Sequence, residues 1–198
     1  MTTDKGQGRL QGKVAIIVGA GQQPGETPGN GRAVAERFAQ EGATLLLVDI
    51  NEAWANDTLE AVKKLGATAS VQVADITREE DCKAIADACV QRYGRIDILH
   101  NNVGRSGGDR KTVDLDVAVW DSLMAMNLKG MFMTCKHVLP HMIARKSGCI
   151  INVSSTGALM PLPQVIPYGS SKAALNAMTP SLAAEYRPKV RVNTPSPG

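Results

Sequence analysis

Aromatic side chains are scarce in this sequence: two Trp, two Phe and three Tyr make up 4% of its 198 residues. A core must therefore rest on Val, Ile, Leu, Ala and Met, a mix that suits a parallel sheet buried on both faces better than a β-sandwich. Long apolar runs are missing too. None approaches the ~18 residues of a membrane span, and the polar start "MTTDKGQGRLQGK" lacks the apolar stretch of a signal peptide. Charge of one sign is not concentrated: 22 Lys and Arg face 19 Asp and Glu, for a net +3 spread along the chain. Nucleic-acid binding would need a basic stripe, so none is expected. Cysteine is sparse. Cys82, Cys89, Cys135 and Cys149 form no C-x-x-C pair, which predicts reduced thiols in a cytoplasmic protein rather than a disulfide framework. His137 and His141 stand four apart, but "HVLPHM" lacks the glutamate of H-E-x-x-H, and no metal site is predicted.

What is present alternates. Residues 1–12 read as a flexible lead-in and 13–198 as one domain, an ordinary size. "KVAIIVG" (13–19) is a short apolar run ending at glycine, the signature of a buried strand. After a Gly/Pro-rich loop, 31–42 carries apolar residues at helical spacing and closes on Gly42. "TLLLVDI" (44–50), a helix over 52–65, "TASVQVAD" (68–75) and a helix over 77–92 follow, the last with Thr77 as a candidate N-cap and Glu80 three residues on. Then come strand 97–102, a long helical region over 116–146 with Pro140 as a candidate kink or end, strand 149–155, helix 168–186 and strand 190–193. Strands alternating with helices of this length predict an α/β fold: a Rossmann-type, doubly wound parallel sheet in three α/β/α layers.

In such sheets ligands sit beyond the carboxyl ends of the strands, where strand order reverses. The first strand–helix junction is "VGAGQQPGETPGNGRAVA". Gly19, Gly29 and Gly31 would allow a tight turn, close approach of backbone to a pyrophosphate and tight packing of the next helix, whose free N–H groups point at the phosphates. An ordinary surface loop has the same composition. Asp49 adds weight, because it closes the second strand 18 residues after Gly31, near the offset of a ribose-binding acid. A carboxylate there accepts from the adenosine ribose hydroxyls and repels a 2′-phosphate, which predicts NAD over NADP; a solvated loop acid is the alternative. Asp75 and Ile76 recur at the next strand end, where they would meet the adenine edge.

Tyr168 and Lys172 lie four apart at the start of a predicted helix and share one face. A nearby ammonium favours the phenolate and makes a tyrosine a usable base near neutral pH. Taken alone, Tyr-x-x-x-Lys also occurs by chance in helices.

The ordered set "VGAG…GNGRA", "LLLVDI", "VADIT", "NNVG", "MNLKG", "GCIINVSS", "YGSSKAAL" and "RVNTPSPG" closely resembles the short-chain dehydrogenase/reductase family over residues 13–198. The resemblance implies that Tyr168 is the catalytic acid/base, and that Lys172 lowers its pKa and holds the nicotinamide ribose. Of the adjacent Ser154 and Ser155, the family's spacing of thirteen residues before the tyrosine selects Ser155 as the group that polarises the substrate. Asn127 matches the asparagine that orders a proton-relay water. Asn101 and Gly104 match the turn beside the adenosine ribose, with Val103 in place of its alanine. The implied cofactor is NAD and the implied substrate a small alcohol or carbonyl compound, in a homo-dimer or homo-tetramer packed through the long helix and the Tyr-bearing helix.

Two departures stand out. Gly19 to Gly31 spans twelve residues, six more than the family's loop, so "QPGETP" must bulge outward or fold over the cofactor. The family also usually continues beyond the Pro-Gly that is here Pro197–Gly198, with a further strand and part of the substrate pocket, which implies a longer intact enzyme. The reading is an NAD-dependent oxidoreductase acting on a secondary alcohol or ketone. A 3-oxoacyl thioester reductase and a non-catalytic NAD-binding fragment are its rivals.

Overall fold

A computed structural model describes residues 8–25, 27–160 and 162–197. Six strands, β1 (Val14–Val18), β2 (Thr44–Asp49), β3 (Ala69–Val73), β4 (Ile98–Asn101), β5 (Gly148–Asn152) and β6 (Val190–Asn193), form one sheet in the order β3-β2-β1-β4-β5-β6. Every adjacent pair is parallel. The helices between them are α1 (Asn30–Gln40), α2 (Glu52–Lys64), α3 (Glu79–Tyr93), α4 (Val117–Met124), α5 (Met131–Ala144) and α6 (Ile166–Tyr186). Strand order reverses between β1 and β4, and there the crevice for a ligand opens.

Period-two alternation within the strands divides the core. Val14, Ile16, Val18, Leu46, Val48, Leu99 and Ile150 pack against Cys82, Ile85, Val138 and Met142 of α3 and α5. Ala15, Ile17, Leu45, Leu47 and Ile98 face Ala35, Ala39 and Val62 of α1 and α2. Each fully buried Leu or Ile contributes about 1.5–3 kcal/mol.

The local signals behaved unevenly. Asn51 caps α2 through Trp54 N at 3.1 Å, and Asp116 caps α4 through Ala118 N at 2.8 Å. Thr77 does not cap α3: its hydroxyl donates to Asp75 Oδ1 at 2.8 Å, and the helix begins two residues later. The expected lead-in is anchored from residue 9 onward, since Arg9 holds the buried Glu41 and Leu10 N donates to Glu41 O at 3.0 Å; residues 1–7 lie outside the described residues. The long helical region runs unbroken from Val117 to Ala144, but it is not uniform. A π turn over Ala125–Gly130 separates α4 from α5. Pro140 neither ends nor breaks α5, because it and Lys136, whose carbonyl loses its partner, are both exposed to water. β5 also ends sooner than expected: Ser154 N and Thr156 N donate to Pro195 O and Pro197 O, tying the stretch after β5 to the chain after β6.

Candidate active site

At the carboxyl ends of β1, β2 and β4 lies a cleft of about 430 Å³. Gly19 opens it with a left-handed φ of 75°, and a Cβ at Gly31 would sit 1.9 Å from Gly19 O, so α1 starts directly against this turn. Gly29 faces open space, so no packing constraint requires a glycine there. Gly21, absent from the sequence reading although it follows Gly19 in a Gly-x-Gly string, is the closer fit: its N–H donates to Asp49 Oδ2 at 2.8 Å, and a Cβ would lie 2.6 Å from that oxygen.

The long loop folds over the cleft rather than away from it. Gln22, Gln23, Pro24, Gly25 and Thr27 line the same space as Asp49, and Gln22 organises them. Its Nε2 donates to Gln23 O at 2.6 Å and Thr27 O at 3.3 Å, while its Oε1 accepts from Gly29 N at 2.9 Å. Glu26 lies outside the described residues. Asp49 also accepts from Asn51 N at 3.0 Å, so each carboxylate oxygen carries one backbone bond and keeps a lone pair for a ligand hydroxyl. Asp75 and Ile76 line the cleft beyond it, and Ile76 packs so closely on the π turn that a Cβ at Gly130 would lie 2.8 Å from its side chain.

One expected contact is not made. The Asn101 side chain is fully buried and bonds Asn152 Oδ1 at 2.9 Å and Thr134 Oγ1 at 2.9 Å, in a polar network beneath the site. It shares a strand face with Leu99, under α5, and does not reach the cleft. Its neighbour Asn102 does, donating to Gly19 O at 3.2 Å.

Tyr168 occupies the first turn of α6, and Lys172 follows one turn later with its Nζ 5.9 Å from the phenol ring centroid. The ammonium is 2% exposed and donates to Val103 O at 2.9 Å and Val153 O at 2.8 Å. Burial pulls its pKa down to about 8. Gly104 borders it so tightly that a Cβ would stand 3.0 Å from Nζ. The two serines have different places. Ser154 is buried and donates to Lys172 O at 3.2 Å. Ser155 is half-buried, its Oγ accepting from Gly157 N at 3.1 Å, and a Cβ at Gly157 would lie 3.4 Å from that Oγ and 3.5 Å from the Tyr168 ring. Asn127, in the π turn and fully buried, uses both ends of its amide on the backbone of Arg105, accepting at 3.0 Å and donating at 2.9 Å.

A second cavity, of about 570 Å³, lies at the opposite, amino ends of the strands and touches none of these residues. Among the described residues no three His, Cys, Asp or Glu side chains form a metal-binding group, and no helix is long and apolar enough to cross a membrane. His137 bonds Glu79 at 3.2 Å.

The sequence profile of the short chain dehydrogenases matches residues 13–198. A 3-oxoacyl-[acyl-carrier-protein] reductase of Thermotoga maritima is 36% identical, with 96% of this chain aligned to 75% of that one. Among solved structures, an NAD+-bound xylitol dehydrogenase superposes with a TM-score of 0.90 at 33% identity, covering 96% of this chain and 71% of that one. A levodione reductase gives 0.91 at 32% identity, covering 96% and 72%. A profile match along nearly the whole chain, joined to a parallel sheet with its cleft at the switch point, assigns this chain to the short-chain dehydrogenase family of oxidoreductases.

Proposed function

We propose that the chain transfers a hydride between NAD(H) and a secondary alcohol or ketone, with Tyr168 as acid/base. The observation that supports this most is a buried ammonium, Lys172, held over the Tyr168 ring beside the cleft that Asp49 lines. The residues fit the cofactor: Gly19, Gly21, Gly31 and Gly104 line the cleft without side chains of their own, and Asp49, held by Gly21 N and Asn51 N, keeps lone pairs for ribose hydroxyls. NAD, when bound, supplies a nicotinamide ring that accepts or donates hydride. The chain does the rest. The α1 start presents backbone N–H groups to phosphate, and Asp75, Ile76, Asn102 and Gly104 bound the remaining cleft. Ser155 donates a hydrogen bond to the substrate oxygen as charge develops there. Tyr168 holds or releases the hydroxyl proton, with the Lys172 ammonium 5.9 Å from its ring centroid. Asn127 acts through Arg105, keeping the loop that carries the Lys172 acceptor Val103 in place.

A 3-oxoacyl thioester is the second candidate substrate, favoured by the Thermotoga maritima relative. A homo-dimer or homo-tetramer belongs to the same reading, supported by Phe132, which α5 leaves 46% exposed. Cytoplasmic residence is supported by four unpaired thiols. The test is fluorescence titration with NADH and NADPH, followed by a panel of secondary alcohols, ketones and a 3-oxoacyl thioester. The proposal expects NADH to bind at least ~10-fold more tightly, equivalent to about 1.4 kcal/mol, with turnover of simple alcohols or ketones. Preference for NADPH with turnover of the thioester alone would select the second substrate. Binding without any turnover would make the chain a nucleotide-binding module.

A further inference from the structure

Three members of the candidate catalytic set bond to one short stretch of chain. Lys172 Nζ donates to Val103 O, Asn127 exchanges two hydrogen bonds with the Arg105 backbone, and Tyr168 N donates to Asp109 Oδ2 at 3.4 Å. The first two contacts use main chain of the loop after β4. The third uses a side chain, and no motif in the sequence singles it out.

The first N–H groups of any helix have no intrahelical acceptor. In α6 the N-cap, Val165, offers no side-chain oxygen, and Pro167 has no N–H to satisfy. Gly169 N is already within the helix, donating to Val165 O at 2.8 Å. Ile166 lies at the surface, 43% exposed, and the N–H deeper in the first turn is that of Tyr168, which a carboxylate from a loop 59 residues away takes. An anion at this end of a helix is also favoured by the helix dipole. Asp109 is held in turn by its own N–H to Ser106 O at 3.0 Å. Its Oδ1 is buried with no hydrogen-bond partner among the described residues, and burial raises its pKa while the Tyr168 N–H lowers it. Keeping such a group partly desolvated and half satisfied is unfavourable, so its place calls for a compensating role. At 3.4 Å the bond is long for N–H···O, and a small shift of either partner would lose it.

We propose that Asp109 is a positioning residue: it pins the first turn of α6, and with it the Tyr168 side chain, to the loop that also anchors Lys172 and Asn127. The proposal rests on the reading of Tyr168 as acid/base. It predicts which part of the site fails when the pin is removed: the placement of the phenol, not the nucleotide cleft.

The experiment compares Asp109→Ala with Asp109→Asn, whose amide oxygen still accepts the Tyr168 N–H. Amide hydrogen exchange at Tyr168, read by NMR, needs no substrate. It should speed up at least ~10-fold in Asp109→Ala and stay within ~3-fold of wild type in Asp109→Asn, as expected for loss or retention of one protecting hydrogen bond. In turnover, Asp109→Ala should lose ~10-fold in kcat, about 1.4 kcal/mol of barrier, while NADH affinity holds and Asp109→Asn recovers most of the rate. Unchanged exchange in Asp109→Ala overturns the proposal. So does equal impairment of the two variants, or a fall in NADH affinity as large as the fall in kcat. If wild type turns over nothing, the acid/base reading fails, and the exchange data still decide whether Asp109 pins Tyr168.

Discussion

Gly104→Ala adds one methyl group and asks how finely Lys172 is placed. Gly104 does not have a left-handed φ, so alanine fits its backbone. The new Cβ would stand 3.0 Å from Lys172 Nζ and 3.1 Å from Cε, where ordinary contact begins at 3.4 Å. The lysine end must therefore retreat by a few tenths of an ångström. Its bonds to Val103 O and Val153 O, now 2.9 and 2.8 Å, cannot both survive that movement at good length. A hydrogen bond from a charged group contributes about 1.5–3 kcal/mol, and weakening one by half costs about 1 kcal/mol. On stability this is offset, because replacing glycine restricts the unfolded chain and returns about 0.4–1 kcal/mol. On the reaction nothing offsets it: the ammonium moves relative to the phenol, and about 1 kcal/mol of lost stabilisation is a roughly fivefold lower rate. The variant should therefore unfold in urea at nearly the wild-type midpoint while kcat/KM for the alcohol drops roughly fivefold. Rates within twofold of wild type, or a stability loss that matches the activity loss, would refute the reasoning.

Two further outcomes follow from the same geometry. Gln22→Ala removes the side chain that closes the long glycine loop over the cleft. NADH dissociation constants measured by fluorescence should rise roughly 5–10-fold, about 1 kcal/mol, and a value within twofold of wild type would show that the loop is not held by Gln22. Lys172 is a cation whose folded pKa, about 8, lies below its ordinary 10.5. Below pH 8 both folded and unfolded chains hold the proton, and the full penalty, on the order of 3 kcal/mol, opposes folding. As pH rises from about 8 toward 10.5 the unfolded chain keeps a proton that the folded chain has released, so stability increases. Cys82, Cys89 and Cys135, each pushed up to about 12 by burial, work in the opposite direction above their ordinary value. The difference in unfolding free energy between wild type and Lys172→Met isolates the lysine. Wild type should gain about 1 kcal/mol on the variant between about pH 7 and pH 9, and a flat difference would contradict the burial of a charged Lys172.

Apolar runs such as "VAIIV" and "TLLLVD" announced a buried parallel sheet because nothing but burial on both faces accounts for them. Asp49 is legible for a related reason: a carboxylate closing an apolar strand has to sit at the strand's carboxyl end, facing solvent or ligand. The adjacent Asn101 and Asn102 were harder. Strand alternation carries the answer, since Asn101 follows Leu99 on the core face, whereas a motif match says nothing about which face a residue takes. Thr77 had the sequence of a cap, and the capping pattern gave no sign that Asp75 competes for its hydroxyl. Gln22 and Asp109 left no pattern at all. Each acts on backbone that only the folded loop brings near, at 7 and 59 residues' distance, and local spacing says nothing about such closures. The π turn at Asn127 is likewise tertiary, set where Gly130 meets Ile76.

The central claim, that the Tyr168 hydroxyl moves the proton and is not needed to hold the nucleotide, is tested most directly by Tyr168→Phe. The substitution keeps the ring beside Lys172 and removes only the hydroxyl. NADH affinity and turnover should be measured on the same preparations of wild type and variant. The account predicts NADH binding within twofold of wild type and a kcat lower by at least ~10²-fold, the range of general acid–base catalysis. A variant that keeps wild-type turnover, or one that loses NADH binding along with it, would contradict the account.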